Sequence, residues 1–144
     1  MVVSAAVFRR ATEADIPDMS RIRLAVKENR LRDPGRVTRQ MYVDFLERDG
    51  RGWVAQVDGI TVAFSYASKL DGSIWALFVD PAHEGQGLAR HLLELATAWL
   101  FALGFEQLTL STSAGTRAEV FYARCGWIRG SSSGDEVTFY RLGG

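Results

Sequence analysis

One cysteine, Cys125, stands alone in 144 residues, which excludes an internal disulfide, a CxxC redox pair and a cysteine-based zinc cluster. A reducing compartment fits, so a cytoplasmic protein is expected. Net charge is lacking too, because 17 Lys/Arg balance 17 Asp/Glu, and no whole-protein field gathers nucleic acid or anionic lipid. No apolar run approaches the roughly 20 residues of a membrane helix, and the opening MVVSAAVFRR is too short for a signal-peptide core and lacks its early positive charge. The expectation is a soluble protein with no nucleic-acid and no membrane partner. No repeat runs along the chain. The only low-complexity patch, 130-GSSSG-134, reads as a mobile turn.

What is present is a chain that is 47% hydrophobic, enough for one domain over residues 1–144 with a continuous core. Val2 to Arg10 reads as a first strand. Thr12 reads as an N-cap, and acids in the first turn with Ile16, Met19, Ile22, Arg23 and Val26 at helical spacing predict a helix over 13–29. Asp33-Pro34-Gly35 breaks it. A second helix after Thr38 carries Met41, Tyr42, Phe45 and Leu46 on one face and ends at Gly50 and Gly52. Then 53-WVAQVDGITVAFSYA-67 reads as a hairpin, since Asp58-Gly59 tolerates the positive φ angles of a type I′ turn. The unbroken apolar run 73-SIWALFV-79 predicts a central strand covered on both faces. Leu88, Leu92, Leu95, Ala96, Trp99 and Leu103 hold helical period from Gly87, and Gly104 fits the C′ position. A strand at 107–112, a helix over 116–124 and strands near 127–129 and 136–142 complete the order. Hairpins followed by a strand-helix-strand crossover predict a mixed α/β (α+β) class, antiparallel on one side and parallel at the crossover.

The stretch 79-VDPAHEGQGLARHLLELA-96 carries the chemistry. Gly85 and Gly87 remove two Cβ atoms where the chain turns from strand to helix, leaving backbone N–H groups open to an anion such as phosphate or pyrophosphate. The bland alternative is a turn that needs glycine for geometry only. A P-loop is excluded, because Gly87-Leu88-Ala89 has neither the lysine nor the magnesium-binding hydroxyl. A Rossmann fingerprint fails at Arg90, where its third glycine belongs.

The run 78-FVDPAHEGQGLARHLL-93 resembles the acetyl-CoA motif of the GCN5-related N-acetyltransferases, Gln/Arg-x-x-Gly-x-Gly/Ala after a strand ending in Val-x-Pro. Gly87 and Ala89 match its last two fixed positions, while Glu84 stands where the family has Gln or Arg. Farther on, 118-AEVFYARCGW-127 resembles the family's second signature, with Trp127 for the usual Phe. The element order agrees as well. The resemblance implies a mostly antiparallel sheet of about seven strands with about four helices and splayed parallel strands at its centre.

The resemblance also implies roles. The pantetheine arm would lie along Leu77, Phe78 and Val79, and the pyrophosphate on the turn formed by Glu84, Gly85, Gln86, Gly87, Leu88, Ala89 and Arg90. Glu84 is expected to point away, because a carboxylate beside an anion is unfavourable. Tyr122 matches the tyrosine that protonates the departing CoA thiolate, against the alternative of a core tyrosine. Many members use a Glu base on the strand before the glycine turn; the equivalent here is Trp75, which cannot titrate. Water relayed by Ser111 or Ser113, or the carboxylate of Glu28 or Glu136, remain open as proton routes. Asn29, Arg30, Arg32 and Trp75 are candidates for the acceptor side, with Lys27 and Arg36 adding charge to 27-KENRLRDPGR-36; a solvated basic turn is the alternative.

The implied activity is acetyl transfer from acetyl-CoA to a primary amine through a ternary complex, with no metal. A small-molecule acceptor is the first expectation and a protein amine the second. A non-catalytic acyl-CoA sensor is the competing class, and a homodimer is left open. His83 and His91 read as solvated, Cys125 as a small packed hydrophobe, and Trp53, Trp99 and Trp127 as core.

Overall fold

The computed structural model describes residues 6–25 and 39–143, with the side chains of Arg39, Tyr42, Phe45 and Glu47 outside that description. Seven strands form one sheet in the order β1-β2-β3-β4-β5-β7-β6. They are β1 (Val7–Arg10), β2 (Gly50–Val57), β3 (Ile60–Ser68), β4 (Ser73–Val79), β5 (Gln107–Ser113), β6 (Ile128–Ser133) and β7 (Glu136–Leu142). Four helices are described: α1 (Ile16–Ala25), α2 (Arg39–Glu47), α3 (Leu88–Ala102) and α4 (Arg117–Arg124). All strand pairs are antiparallel except β4 with β5. Of the described helices, none is long and apolar enough to cross a membrane.

Local chemistry starts most of these elements. Thr12 caps a single 3-10 turn (Glu13–Asp15) that runs into α1. The Asp15 carboxylate accepts the Thr12 N–H at 2.8 Å and a two-point fork from Arg9 at 2.7 and 2.8 Å. Burial alone would raise the Asp15 carboxyl, but those hydrogen bonds and the guanidinium charge outweigh it and hold it below its ordinary value. Asp58 at φ 53° and Gly59 at φ 78° make the left-handed turn between β2 and β3.

The core divides in two across the sheet. On one face α1 and α2 bury Ile16, Met19, Ile22 and Leu46 against Val54, Phe64 and Tyr66. On the other, α3 buries Leu88, Leu92, Leu93, Ala96 and Leu100 with Leu108, Leu110 and Phe139. Full burial of a side chain such as Leu or Phe stabilises by about 1.5–3 kcal/mol.

Three local readings need correction. Gly50 and Gly52 lie inside β2 and do not terminate α2. A Cβ on Gly52 would come within 2.5 Å of the Tyr66 ring and 2.9 Å of Leu46, so close packing is what requires glycine there. Residues 130–133 belong to β6, which turns at Gly134, because an edge strand pairs through backbone whatever its side chains. Leu103 is exposed past the end of α3, whereas Leu93 and Leu100 take core positions. The predicted strand residues 2–5 and helix residues 26–29 lie outside the described residues.

Candidate active site

β4 and β5 run side by side for only two registered positions, Ser73 with Thr109 and Ile74 with Leu110. Beyond them no β5 residue pairs with residues 76–79, so the backbone groups of β4 that face β5 have no strand partner. A β-bulge sits where the strands part. Tyr66 pairs with Ala76 and Ala67 with Ile74, which leaves Trp75 as the extra residue on β4. Such a bulge increases local twist and resets alternation. Ile74, Leu77 and Val79 therefore pack toward α3, while Trp75, Ala76 and Phe78 pack toward α1.

The opening between the strands leads into a cleft of about 300 Å³ on the α3 side. Leu77, Phe78 and Val79 border it, with the Phe78 ring turned to the opposite core. Gly85, Gly87, Leu88, Ala89 and Arg90 form one wall, and Arg117, Ala118, Phe121 and Tyr122 of α4 form the other. β4 is thus central, but Leu77 and Val79 are only half-buried because they border the cleft.

The glycine turn needs its glycines. Gly85 has φ 78° and Gly87, the N-cap of α3, has φ 80°, a region costly for residues with a Cβ. A Cβ at either would meet nothing within 4 Å, so both backbones stand open. The strand leading in is braced: Asp80 accepts the Ala82 N–H at 3.0 Å and receives Arg21 at 3.2 Å, while Arg21 also donates to the Thr61 carbonyl at 3.0 Å. Helix α1 is thereby tied to the start of the turn.

Tyr122 is 7% exposed and lies among Phe121, Trp127 and Phe139, yet it reaches the cleft lining. Burial, with a smaller contribution from the neighbouring thiol, pushes its hydroxyl well above the ordinary tyrosine value, so it stays protonated at physiological pH. Cys125 is half-buried, and burial raises its thiol, which leaves it a poor nucleophile. At the N-terminal end of α4, Glu119 accepts the Gly115 N–H at 2.7 Å and Arg129 at 3.0 Å, fixing the turn from β5.

Glu84 is on the lining and does not simply point to solvent: Arg117 forks onto it, Nη1 to Oε2 at 2.8 Å and Nη2 to Oε1 at 3.1 Å. Gln86 is exposed and is not among the lining residues. Trp75 lies on the opposite sheet face, 5.4 Å from the Tyr66 ring and 5.5 Å from the Arg23 guanidinium. His83, expected to be solvated, lines the cleft with Nδ1 buried and unbonded among the described residues. His91 is exposed and stacks on Phe8 at 3.8 Å. Among the proton-route candidates, Ser111 lies 3.4 Å from Thr138, and Ser113 faces Glu136 across the strands. Glu28, Asn29, Arg30 and Arg32 lie outside the described residues. Among the described residues no cluster of three or more His, Cys, Asp or Glu could hold a metal ion. Sequence reasoning missed Arg117, Phe121 and Ala118 as cleft residues. The signal for Ala118 and Phe121 was the second motif itself, whose helix face carries them beside Tyr122, and Arg117 lies one residue before it.

No curated protein matches the sequence. In fold, the chain is similar to the PaiA N-acetyltransferase of Thermoplasma acidophilum, solved with coenzyme A. That pair shares a TM-score of 0.84 and 11% identity over 96% of this chain and 99% of that one. It is also similar to YncA of Salmonella typhimurium, an acetyltransferase solved with acetyl-CoA, at TM-score 0.72 and 17% identity over 96% and 94% of the chains. A third likeness is the ribosomal-protein-S18-alanine N-acetyltransferase of Escherichia coli, at TM-score 0.73 and 18% identity over 94% and 91%. A sequence profile of the acetyltransferase (GNAT) family matches residues 16–127. Over the glycine turn, the splayed strands and the tyrosine helix that this match spans, the chain belongs to the acetyltransferase (GNAT) family.

Proposed function

We propose that the protein moves an acetyl group from acetyl-CoA to a primary amine of a small molecule, by direct attack within a ternary complex. The observation that carries this reading is a single cleft that joins unpaired β4 backbone, two open left-handed glycines and a neutral tyrosine hydroxyl. The pantetheine arm adds to Leu77, Phe78 and Val79 as a further strand would, and its amides take the backbone partners that β5 does not supply. The diphosphate rests on the amides of the turn from Gly85 to Arg90, at the positive end of α3.

In the reaction the amine nitrogen attacks the thioester carbonyl, the C–S bond breaks, and the CoA thiolate takes a proton. Tyr122 is the hydroxyl on the cleft lining that meets that thiolate: burial keeps it protonated while making it a weaker acid, so it acts first as a hydrogen-bond donor to the forming charge. The proton lost by the incoming ammonium leaves by another route, since Trp75 cannot accept it. In this reading that route is assigned to the polar groups of β5 and β7, Ser111, which lies 3.4 Å from Thr138, and Ser113, which pairs with Glu136.

The test measures thiol release from acetyl-CoA over a panel of small amines and short peptides, with melting temperature recorded alongside. Release with small amines, and a rise in melting temperature with acetyl-CoA but not with NAD or ATP, is expected. Gly87→Leu should abolish the rise, because its side chain occupies the open space in front of the turn. Binding without release on any acceptor would make the protein an acyl-CoA sensor. Release confined to peptides would move the acceptor class to protein amines.

A further inference from the structure

Like charges repel more strongly the closer they are, so a carboxylate beside a phosphate site is a liability. Glu84 nonetheless immediately precedes Gly85 on the lining of the cleft. Its charge is met by Arg117, which reaches over from the first turn of α4 and places Nη1 and Nη2 at 2.8 and 3.1 Å from the two carboxylate oxygens. The fork ties the glycine turn to α4 at the rim of the cleft, linking residues 33 apart in sequence. The Arg117 side chain is 72% exposed and that of Glu84 36%. Water and salt screen such a pair, and it holds weakly.

We propose that Arg117 is a phosphate-recognising residue of the cofactor cleft, held at the rim by Glu84 until a cofactor phosphate displaces the carboxylate. This rests on the acetyl-CoA reading above. A guanidinium fork that fits two carboxylate oxygens also fits two phosphate oxygens, with the same planar, two-point geometry. The diphosphate as a whole, or a phosphate monoester, carries about two negative charges against one on the carboxylate, so the exchange runs toward the ligand. Arg90 is the other arginine on the lining, and Glu84 is the only carboxylate among the described lining residues. While the cleft is empty, Glu84 engages Arg117 at the rim. There it competes for the same guanidinium.

The pair is tested by measuring acetyl-CoA affinity calorimetrically, at low and moderate salt, for the parent, E84Q and E84Q/R117Q. E84Q keeps side-chain size and R117Q shortens the side chain while leaving it polar, both at exposed positions. E84Q is expected to bind several-fold tighter than the parent. Adding R117Q to E84Q should then weaken binding about tenfold, the size of one lost charge-assisted pair, and flatten its salt dependence. The E84Q background removes the one carboxylate among the described lining residues, so the loss on adding R117Q is not the loss of that neutralisation. Equal affinity of E84Q and E84Q/R117Q would overturn the assignment of Arg117. E84Q binding no tighter than the parent would overturn the holding role of Glu84. A parent protein that does not bind acetyl-CoA would sink the cofactor reading itself, and this inference with it.

Discussion

β3 and β6 belong to one sheet yet live in opposite environments. Every residue of β3 after Ile60 is buried, whereas β6 is exposed except for half-buried Gly130. The contrast extends to the two halves of the sheet. From β1 to β4 helices cover both faces, α1 and α2 on one and α3 on the other, so Val54, Phe64 and Tyr66 reach zero exposure. From β5 to β6, among the described residues, α3 and α4 cover a single face. There β5 alternates Leu108, Leu110 and Thr112 inward with Gln107, Thr109, Ser111 and Ser113 outward. The halves are held together at only two registered positions before they part, and the cleft opens at that seam. One half thus supplies rigidity, and the seam uses it to keep apart two strands that would otherwise pair.

The sharpest way to break this comparison is Phe64→Ala in the doubly covered half. It should lower unfolding free energy by about 3–5 kcal/mol, read as a fall in the denaturant midpoint at unchanged slope. At the seam, Tyr122→Phe should leave acetyl-CoA affinity in place and reduce turnover by about 100-fold, close to 3 kcal/mol of transition-state stabilisation. An undiminished rate would make Tyr122 a core residue only.

Asp15→Asn should cost about 1–3 kcal/mol at neutral pH, because it leaves Arg9 and the Thr12 N–H with a weaker acceptor. The folded state holds the Asp15 carboxyl below its unfolded value, so its contribution is fully present above a pH of about 4 and fades as pH falls through the folded value. Parent and variant stabilities should therefore converge below a pH of about 4, and a gap that stayed constant into acid would contradict the linkage. The smallest effect is expected from Ser111→Ala on the singly covered half. Its 3.4 Å contact with Thr138 is exposed, and the change should stay within about 0.5 kcal/mol. A large loss there would erase the difference between the halves.

Much of this was legible before folding. Asp58-Gly59 announced its hairpin because positive φ at two successive positions is a local demand. The period of Leu88, Leu92 and Ala96 announced α3, and two short motifs together pointed to the family. β6 was not legible beyond its first residues, since 130-GSSSG-134 has the composition of a loop and its pairing with β7 uses backbone alone. Trp75 was equally opaque. Its face of the sheet is set by a register shift against β3, and alternation read along β4 alone puts it on the wrong side.

By itself the sequence determined the elements other than β6, the glycine turn and Tyr122 as the proton donor to test, because periodicity, turn chemistry and motif spacing are properties of neighbouring residues. Only the tertiary structure decided where β4 leaves β5, which sheet face Trp75 occupies, and that Glu84 meets Arg117 instead of facing water. Each of those depends on groups far apart in the chain being brought within a few ångströms. No local pattern encodes that approach, because it is fixed by how the two cores and the helices above them pack.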